Sequence, residues 1–488
     1  LSHRSSAYKN VLSLQLSRIL GKVFNVLFLA VAARYLGTGR FGQWVLIFLF
    51  VGFFGLIADF GMDRLTVRDV ARNLALSKKY LSNTLVFKFL SLFPAMGLLV
   101  GTVYLAHYPQ ETINLFMIAL PLLFLGVITS PFSSIIQAHE KIYILSAVDI
   151  CMGLLNSSVG IALLFLGYGI QGLLIMFTSF AVVRFMVLFI ITRRLLGGIW
   201  YPVEFHFIRS LLGLAFPFAV LSILALIHWK VDHFMISKML GDVQLGLYAA
   251  AYKIFENVVM VGITVNAALY PSISALFAES KEKLRRVYEN MQRYFIIVSL
   301  PISAVIFMFA REIILLMYGD QYLESVSVLI LLSFGFSVFF FSIPMRLIIN
   351  NSELIKKIVP YSAVTTSLNI IFNYIVIPRD GFIGGITGAA LVSIFVGCID
   401  VMVRIHFIRR IFHEGYHPLR LSWRPLIAAS VMVSVIYMLS SVGHVLAVAV
   451  GLSAYGYILK LMGELGVREY RMFIREPVGK ILSFIGYQ

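Results

Sequence analysis

The chain has 488 residues, 60% of them hydrophobic and only 13% charged, against roughly 45–50% and about 25% in ordinary soluble domains. That composition excludes a water-soluble globular surface. The 40 Lys and Arg against 23 Asp and Glu give a net charge of +17, but the basic residues are scattered through short connections between apolar runs. This pattern excludes a nucleic-acid-binding module and points to membrane topology, so no nucleic-acid partner is expected.

Apolar runs of spanning length recur over residues 10–33, 41–62, 82–107, 112–136, 142–166 and 170–192. They continue over 211–237, 243–275, 294–317, 324–349, 358–377, 383–408, 425–441 and 443–460. A span needs about 20 apolar residues, so the reading is an all-α integral membrane protein with about fourteen transmembrane helices. The first run lacks the basic n-region, short apolar core and small-residue cleavage site of a signal peptide, so it is expected to stay as a span. Between the eighth and ninth runs, Glu279 to Arg293 reads as an amphipathic, charged extension linking two spans, with a solvated basic connector as the competing account. The tail from Gly463 reads as a basic surface helix near anionic lipid. Cys151 and Cys398 both fall in apolar runs, where they read as small packing residues rather than a disulfide or metal ligands.

Charge alternation gives an independent test of the span order. Alternate segments carry nearly all the Lys and Arg outside the spans: Arg4 and Lys9, then Arg64, Arg68, Arg72, Lys78 and Lys79, then Lys141, then Arg193, Arg194 and Arg209, and so on to Lys460 and beyond. The opposite segments hold only Arg34, Arg40, Lys238, Arg311 and Arg379. The positive-inside rule then places both termini of this multi-pass protein in the cytoplasm, with an even number of spans. The basic-poor connections, such as His107 to Thr112 and Ser441 to His444, are too short for an extramembrane catalytic domain.

The chain also repeats itself. Leu36-Gly37 and Phe41-Gly42-Gln43-Trp44 are echoed 204 residues later by Leu240-Gly241 and Leu245-Gly246-Leu247-Tyr248. Leu155-Asn156 with Gly169-Ile170-Gln171-Gly172 is echoed 213 and 212 residues later by Leu368-Asn369 with Gly381-Phe382-Ile383-Gly384. Ordered matches of this kind are the signature of duplicated transporter halves. The expected domains are a six-helix lobe over 1–200, a second over 201–412, and two further helices with a basic tail over 413–488. Six being even, both halves enter from the same side, and their axis runs along the membrane normal.

A Lys or Arg at mid-bilayer costs about 2.5–3.5 kcal/mol on insertion scales, so charges within spans normally face a cavity, a partner or the headgroups. The basic set, candidates to line a cationic substrate-binding cavity, is Arg18, Lys22, Lys88, Arg184, Lys230 and Lys253. Arg18 and Lys22, four apart, share one helical face and suit an anionic group such as a phosphate; snorkelling to the headgroups is the competing account. His228, Lys230, Asp232 and His233 cluster on the seventh span, where Lys230 and Asp232, two apart, cannot share a face. Lys253 and Glu256 sit three apart on the eighth. Asp59, Asp149 and Asp400 complete the acidic set of gating or ion-coupling candidates. No metal-ligand spacing and no Walker-type loop appears, so no metal, no cofactor and no catalytic residue is expected, and coupling to H+ or Na+ stays open.

Four segments carry a family resemblance: Arg34-Tyr35-Leu36-Gly37-Thr38-Gly39-Arg40-Phe41-Gly42 leading to Ile57-Ala58-Asp59-Phe60-Gly61; Gly246 to Lys253 with Pro271; Met317-Tyr318-Gly319-Asp320-Gln321-Tyr322; and Gly381 to Ala389. Over nearly its full length the chain resembles the oligosaccharide flippases, the polysaccharide-transport branch of the multidrug/oligosaccharidyl-lipid/polysaccharide exporter superfamily. The resemblance implies two six-helix lobes plus two C-terminal helices, alternating access, and a cationic cavity for a polyprenyl-(pyro)phosphate-linked oligosaccharide. Arg18, Lys22 and Lys253 fit that lining. It also implies membrane lipids and other polysaccharide-assembly membrane proteins as partners. The competing readings are a cation-coupled multidrug exporter or a peptidoglycan lipid-precursor flippase of the same superfamily and, from another class, a membrane glycan polymerase.

Overall fold

In the computed structural model the backbone is described for residues 2–412 and 418–464. Side chains are described from Phe24 onward within those ranges, except at 418–420, at six positions of the eighth helix and at three near the start of the twelfth. The described chain is all-helical, with fifteen α-helices and no strand. It divides into two compact units, Leu1–Gly246 and Leu247–Gln488.

The first unit holds α1 (Ser2–Asp59), α2 (Met62–Arg72), α3 (Ser77–Leu105), α4 (Gln110–Ala138), α5 (Ile142–Phe165), α6 (Gly169–Leu196) and α7 (Phe205–Leu240). It also takes in the first turn of α8 (Asp242–Glu279). The first two predicted spans, 10–33 and 41–62, form one bent element, because α1 breaks at Gly37 (φ 74, ψ 170) and resumes at once. α2 is short and amphipathic. Met62, Leu65, Thr66 and Val70, at helical spacing, are buried, and Met62, Leu65 and Val70 share one core with Leu81, Phe132, Ile135, Ile136, Leu188 and Leu211. Arg64, Arg68 and Arg72 line its exposed face.

The repeated motif explains the closest helix contact in this unit. A Cβ on Gly42 would lie 1.8 Å from the Asp242 carbonyl oxygen, and one on Gly246 would lie 1.9 Å from that of Thr38. Only glycine lets α1 and the start of α8 meet backbone to backbone. Thr38 and Asp242, like Gly42 and Gly246, are 204 residues apart, so the two copies of the motif pack against each other reciprocally. Gly37 and Gly241 (φ 89, ψ 179), at the same offset, share one left-handed, extended conformation.

The second unit holds the remainder of α8, then α9 (Lys281–Met308), α10 (Ala310–Tyr318), α11 (Ser325–Asn350), α12 (Ile355–Val376), α13 (Gly385–Phe412), α14 (Pro418–Leu439) and α15 (His444–Leu461). The charged extension predicted before the ninth span is the first half of α9. Ser280 caps it by accepting from the Lys283 N–H, and Arg286–Glu282 and Arg285–Glu289 pairs four apart support the exposed turns. Leu284, Tyr288 and Met291 pack with Met345, Ile348, Ile349, Phe407 and Ile408 of α11 and α13. The last two helices dock on α9 through Ala428, Met432, Ile436, Ala447 and Leu459, and the Tyr455 hydroxyl donates to the Ile297 carbonyl at 2.9 Å.

Among the described residues eleven helices are long and apolar enough to cross a membrane. The broken α1 is counted once, and α8 and α12, which contain undescribed positions, are not among the eleven. The protein is a multi-pass membrane protein.

Candidate functional site: ion clusters buried in each unit

Lys88 on α3 is fully buried. Its Nζ lies 2.7 Å from Oδ1 of Asp59, at the end of α1, and 2.7 Å from Oδ1 of Asp63, in the first turn of α2. It also donates to Ser130 Oγ of α4 at 2.5 Å, and Ser134 Oγ donates to Asp63 Oδ1 at 3.0 Å. Asp59 in turn accepts the backbone N–H groups of Gly61 and Asp63, both at 3.1 Å, and so caps the start of α2. One ammonium therefore joins four helices, where an unpaired buried charge would be costly. When all three groups are ionised the cluster carries one surplus negative charge.

Lys88 and Asp59 stand among the predicted residues and Asp63 does not, because it falls one position past the apolar run 41–62. The spacing of four between Asp59 and Asp63 signals a shared helical face, yet the Phe60-Gly61 break, with φ 50 and φ 80, interrupts the helix between them.

In the second unit Asp400 on α13 accepts from Arg404 through two bonds of 2.8 Å, one to each oxygen, and from Arg346 on α11 at 2.9 Å. The Arg346 Nε also donates to Ser342 Oγ at 3.3 Å, and its guanidinium lies over the Phe339 ring at 5.1 Å. Here two cations share one carboxylate. Arg346 on α11 and Arg404 on α13, which were not among the predicted site residues, both meet the Asp400 carboxylate. Ser130 and Ser342, 212 residues apart at one offset of the repeat, each accept from the cation of their own cluster.

The other predicted residues are less convergent. Arg184 on α6 reaches Asp149 on α5 at 3.1 Å, both partly exposed. Lys253 and Glu256 pair at 2.8 Å along α8, as their spacing requires. On α7, His228 and Lys230 are half-buried, and the His233 Nδ1 lies 2.8 Å from Oδ1 of its neighbour Asp232, both buried. The side chains of Arg18 and Lys22 lie outside the described residues. No cluster of three or more His, Cys, Asp or Glu among the described residues could hold a metal ion.

The family model described as polysaccharide biosynthesis protein matches residues 31–327, more than half of the chain. The chain belongs to this family. Among curated proteins, the capsular polysaccharide biosynthesis protein CapF of Staphylococcus aureus is 22% identical over 422 residues, 83% of this chain and all of the relative. Among solved structures, the lipid II flippase MurJ in an inward closed conformation superposes with a TM-score of 0.74, at 16% identity, over 95% of this chain and all of that one. An inward-facing multidrug resistance MATE transporter of the MOP superfamily gives 0.62, at 17% identity, over 81% of this chain and 96% of that one. This member of the polysaccharide biosynthesis family thus has the fold of the MOP-superfamily transporters, and its structural neighbours are transporters rather than enzymes.

Proposed function

We propose that the chain is a flippase that carries a polyprenyl-(pyro)phosphate-linked oligosaccharide across the cytoplasmic membrane by alternating access, for surface polysaccharide biosynthesis. The observation that carries the reading is membership of a polysaccharide biosynthesis family by a chain with a lipid-flippase fold. On this reading there are fourteen spans, in six-helix lobes over 1–200 and 201–412 with two further helices and a tail over 413–488, and both termini are cytoplasmic. A polymerase is disfavoured by the short connections, for example Ala106 to Pro109 between α3 and α4.

In the substrate site, Arg18, Lys22 and Lys253 hold the phosphates, and the sugars follow while the lipid tail stays in the bilayer. Arg184 and Lys230 extend the cationic lining. Lys88 belongs to the same cationic set, and Asp59, Asp149, His228, Asp232, His233, Glu256 and Asp400 supply gates and H+ or Na+ coupling. Lipid-linked oligosaccharide, membrane lipids and other polysaccharide-assembly membrane proteins are the partners.

A second reading, flipping of a peptidoglycan lipid precursor, is favoured by the 0.74 superposition on the lipid II flippase. One competition experiment separates the two. In proteoliposomes translocating a fluorescent polyprenyl-pyrophosphate oligosaccharide, unlabelled oligosaccharide lipid suppresses the signal on the first reading and lipid II does not. Suppression by lipid II alone selects the second. The Arg18→Ala/Lys22→Ala variant loses transport while keeping its melting temperature; unimpaired transport reassigns those cations to snorkelling.

A further inference from the structure

The segment joining α6 to α7, Gly197 to Glu204, has no regular structure, yet it is pinned. Ser82 Oγ of α3 donates to the Ile199 carbonyl at 3.0 Å and accepts from the Tyr201 N–H at 3.0 Å, while Asn83 Oδ1 accepts from the Glu204 N–H at 2.8 Å. Lys79 holds the Glu204 carboxylate at 2.7 Å and lies 4.5 Å above the Phe207 ring. The strap is thus fastened across the first two turns of α3, at the level where that helix begins. Fastened in this way, it turns its aromatic residues outward: Trp200 is 90% exposed and Phe205 70%.

The charges around it are one-sided. Arg193 and Arg194 in the last turn of α6 and Arg209 in the second turn of α7 are exposed. The one acid between Arg193 and Arg209, Glu204, is already held by Lys79. Indole and phenyl rings in one stretch of chain with arginines that make no ion pair among the described residues match the membrane interface, where the rings enter the headgroup layer and the guanidiniums meet phosphate. Irregular backbone is tolerated at that depth because water reaches its polar groups, and it is not tolerated deeper in lipid.

We propose that this strap is an interfacial anchor for anionic phospholipid on the arginine-rich side of the membrane. Trp200 and Phe205 insert at headgroup depth, and Arg193, Arg194 and Arg209 bind the lipid phosphates. This assignment does not depend on what the protein transports.

The test uses the full chain carrying Trp44→Phe, Trp229→Phe and Trp423→Phe, so that Trp200 alone emits, reconstituted into phosphatidylcholine vesicles with and without phosphatidylglycerol. Expected is strong quenching by lipids brominated near the glycerol, weaker quenching by bromines deep in the chains, and little quenching by aqueous iodide. Phosphatidylglycerol should blue-shift the emission further, and Arg193→Gln/Arg194→Gln/Arg209→Gln should remove that extra shift. Free access of iodide with indifference to bromolipid overturns the proposal. So does shielding from both, which marks a protein-covered surface, and so does an equal response in both vesicles. Should the triple-Phe protein fail to fold, the same quantities come from subtracting the emission of a Trp200→Phe variant from that of the unaltered chain.

Discussion

Removing Lys88 strands two carboxylates that now share one ammonium. Breaking a buried pair from one side costs about 3–5 kcal/mol, so Lys88→Ala should lower the melting temperature in detergent sharply, and adding Asp63→Asn should restore part of the loss. If the double variant melts no higher than the single, Lys88 and Asp63 are not coupled as described. Asp400→Asn tests the second unit by leaving Arg346 and Arg404 without their shared carboxylate. Its loss should be partly recovered by Arg346→Met. Outside the spans, His139 accepts or donates a 2.9 Å hydrogen bond with Ser77 Oγ. Burial, with the Lys141 charge adding to it, holds its imidazole below the usual histidine range. A depressed folded value means the contribution is complete above the ordinary value of about 6.5 and is lost as pH falls through the folded one. The melting temperature should therefore drop more between pH 7.5 and 5.5 in the native chain than in His139→Gln; equal drops would remove His139 from the account. Single residues were partly legible in the sequence. A charge in an apolar run announces that it needs a partner, which picked out Lys88, Asp59 and Asp400. Asp63, Arg346 and Arg404 lie near span ends, where hydropathy does not distinguish a side chain turned into the bundle from one turned to water.

Helices were legible where length and hydropathy suffice: α3 to α7, α11 and α13 to α15 fall where their apolar runs lie. The sequence did not show that α9 runs unbroken from its charged first turns into the membrane, nor that the ninth run divides at Phe309 into α9 and α10. Both depend on which side chains a helix buries, and average hydropathy carries no such direction. The glycine repeat was visible as an offset, but its reciprocal packing was not. That packing makes a sharp prediction. Gly42→Ala and Gly246→Ala each place a methyl group inside a backbone contact and should reduce folded yield and melting temperature. Gly52→Ala, with nothing within 4 Å of its Cβ, should be neutral or stabilising by up to about 1 kcal/mol from helix propensity. Equal behaviour of the three variants in size-exclusion and melting experiments would contradict the close approach of α1 to α8.

Across the whole molecule, composition alone excluded a soluble protein, and the eleven described helices long and apolar enough to cross a membrane agree with that. The family match and the superpositions agree with a polysaccharide biosynthesis protein that has a transporter fold. Substrate identity was less legible, since many saccharides share a polyprenyl pyrophosphate head and a phosphate asks only for cations. The measurement that bears most directly on the central claim is translocation by the unaltered protein, reconstituted alone into liposomes, of a fluorescent polyprenyl-pyrophosphate oligosaccharide whose exposure is read by an impermeant quencher. The account predicts that the quencher-accessible fraction moves between leaflets faster than in protein-free liposomes, and that a simple phospholipid with the same fluorophore does not move with it. No transport of any such saccharide lipid, with efflux of small amphipathic cations in its place, would contradict it and favour a drug exporter.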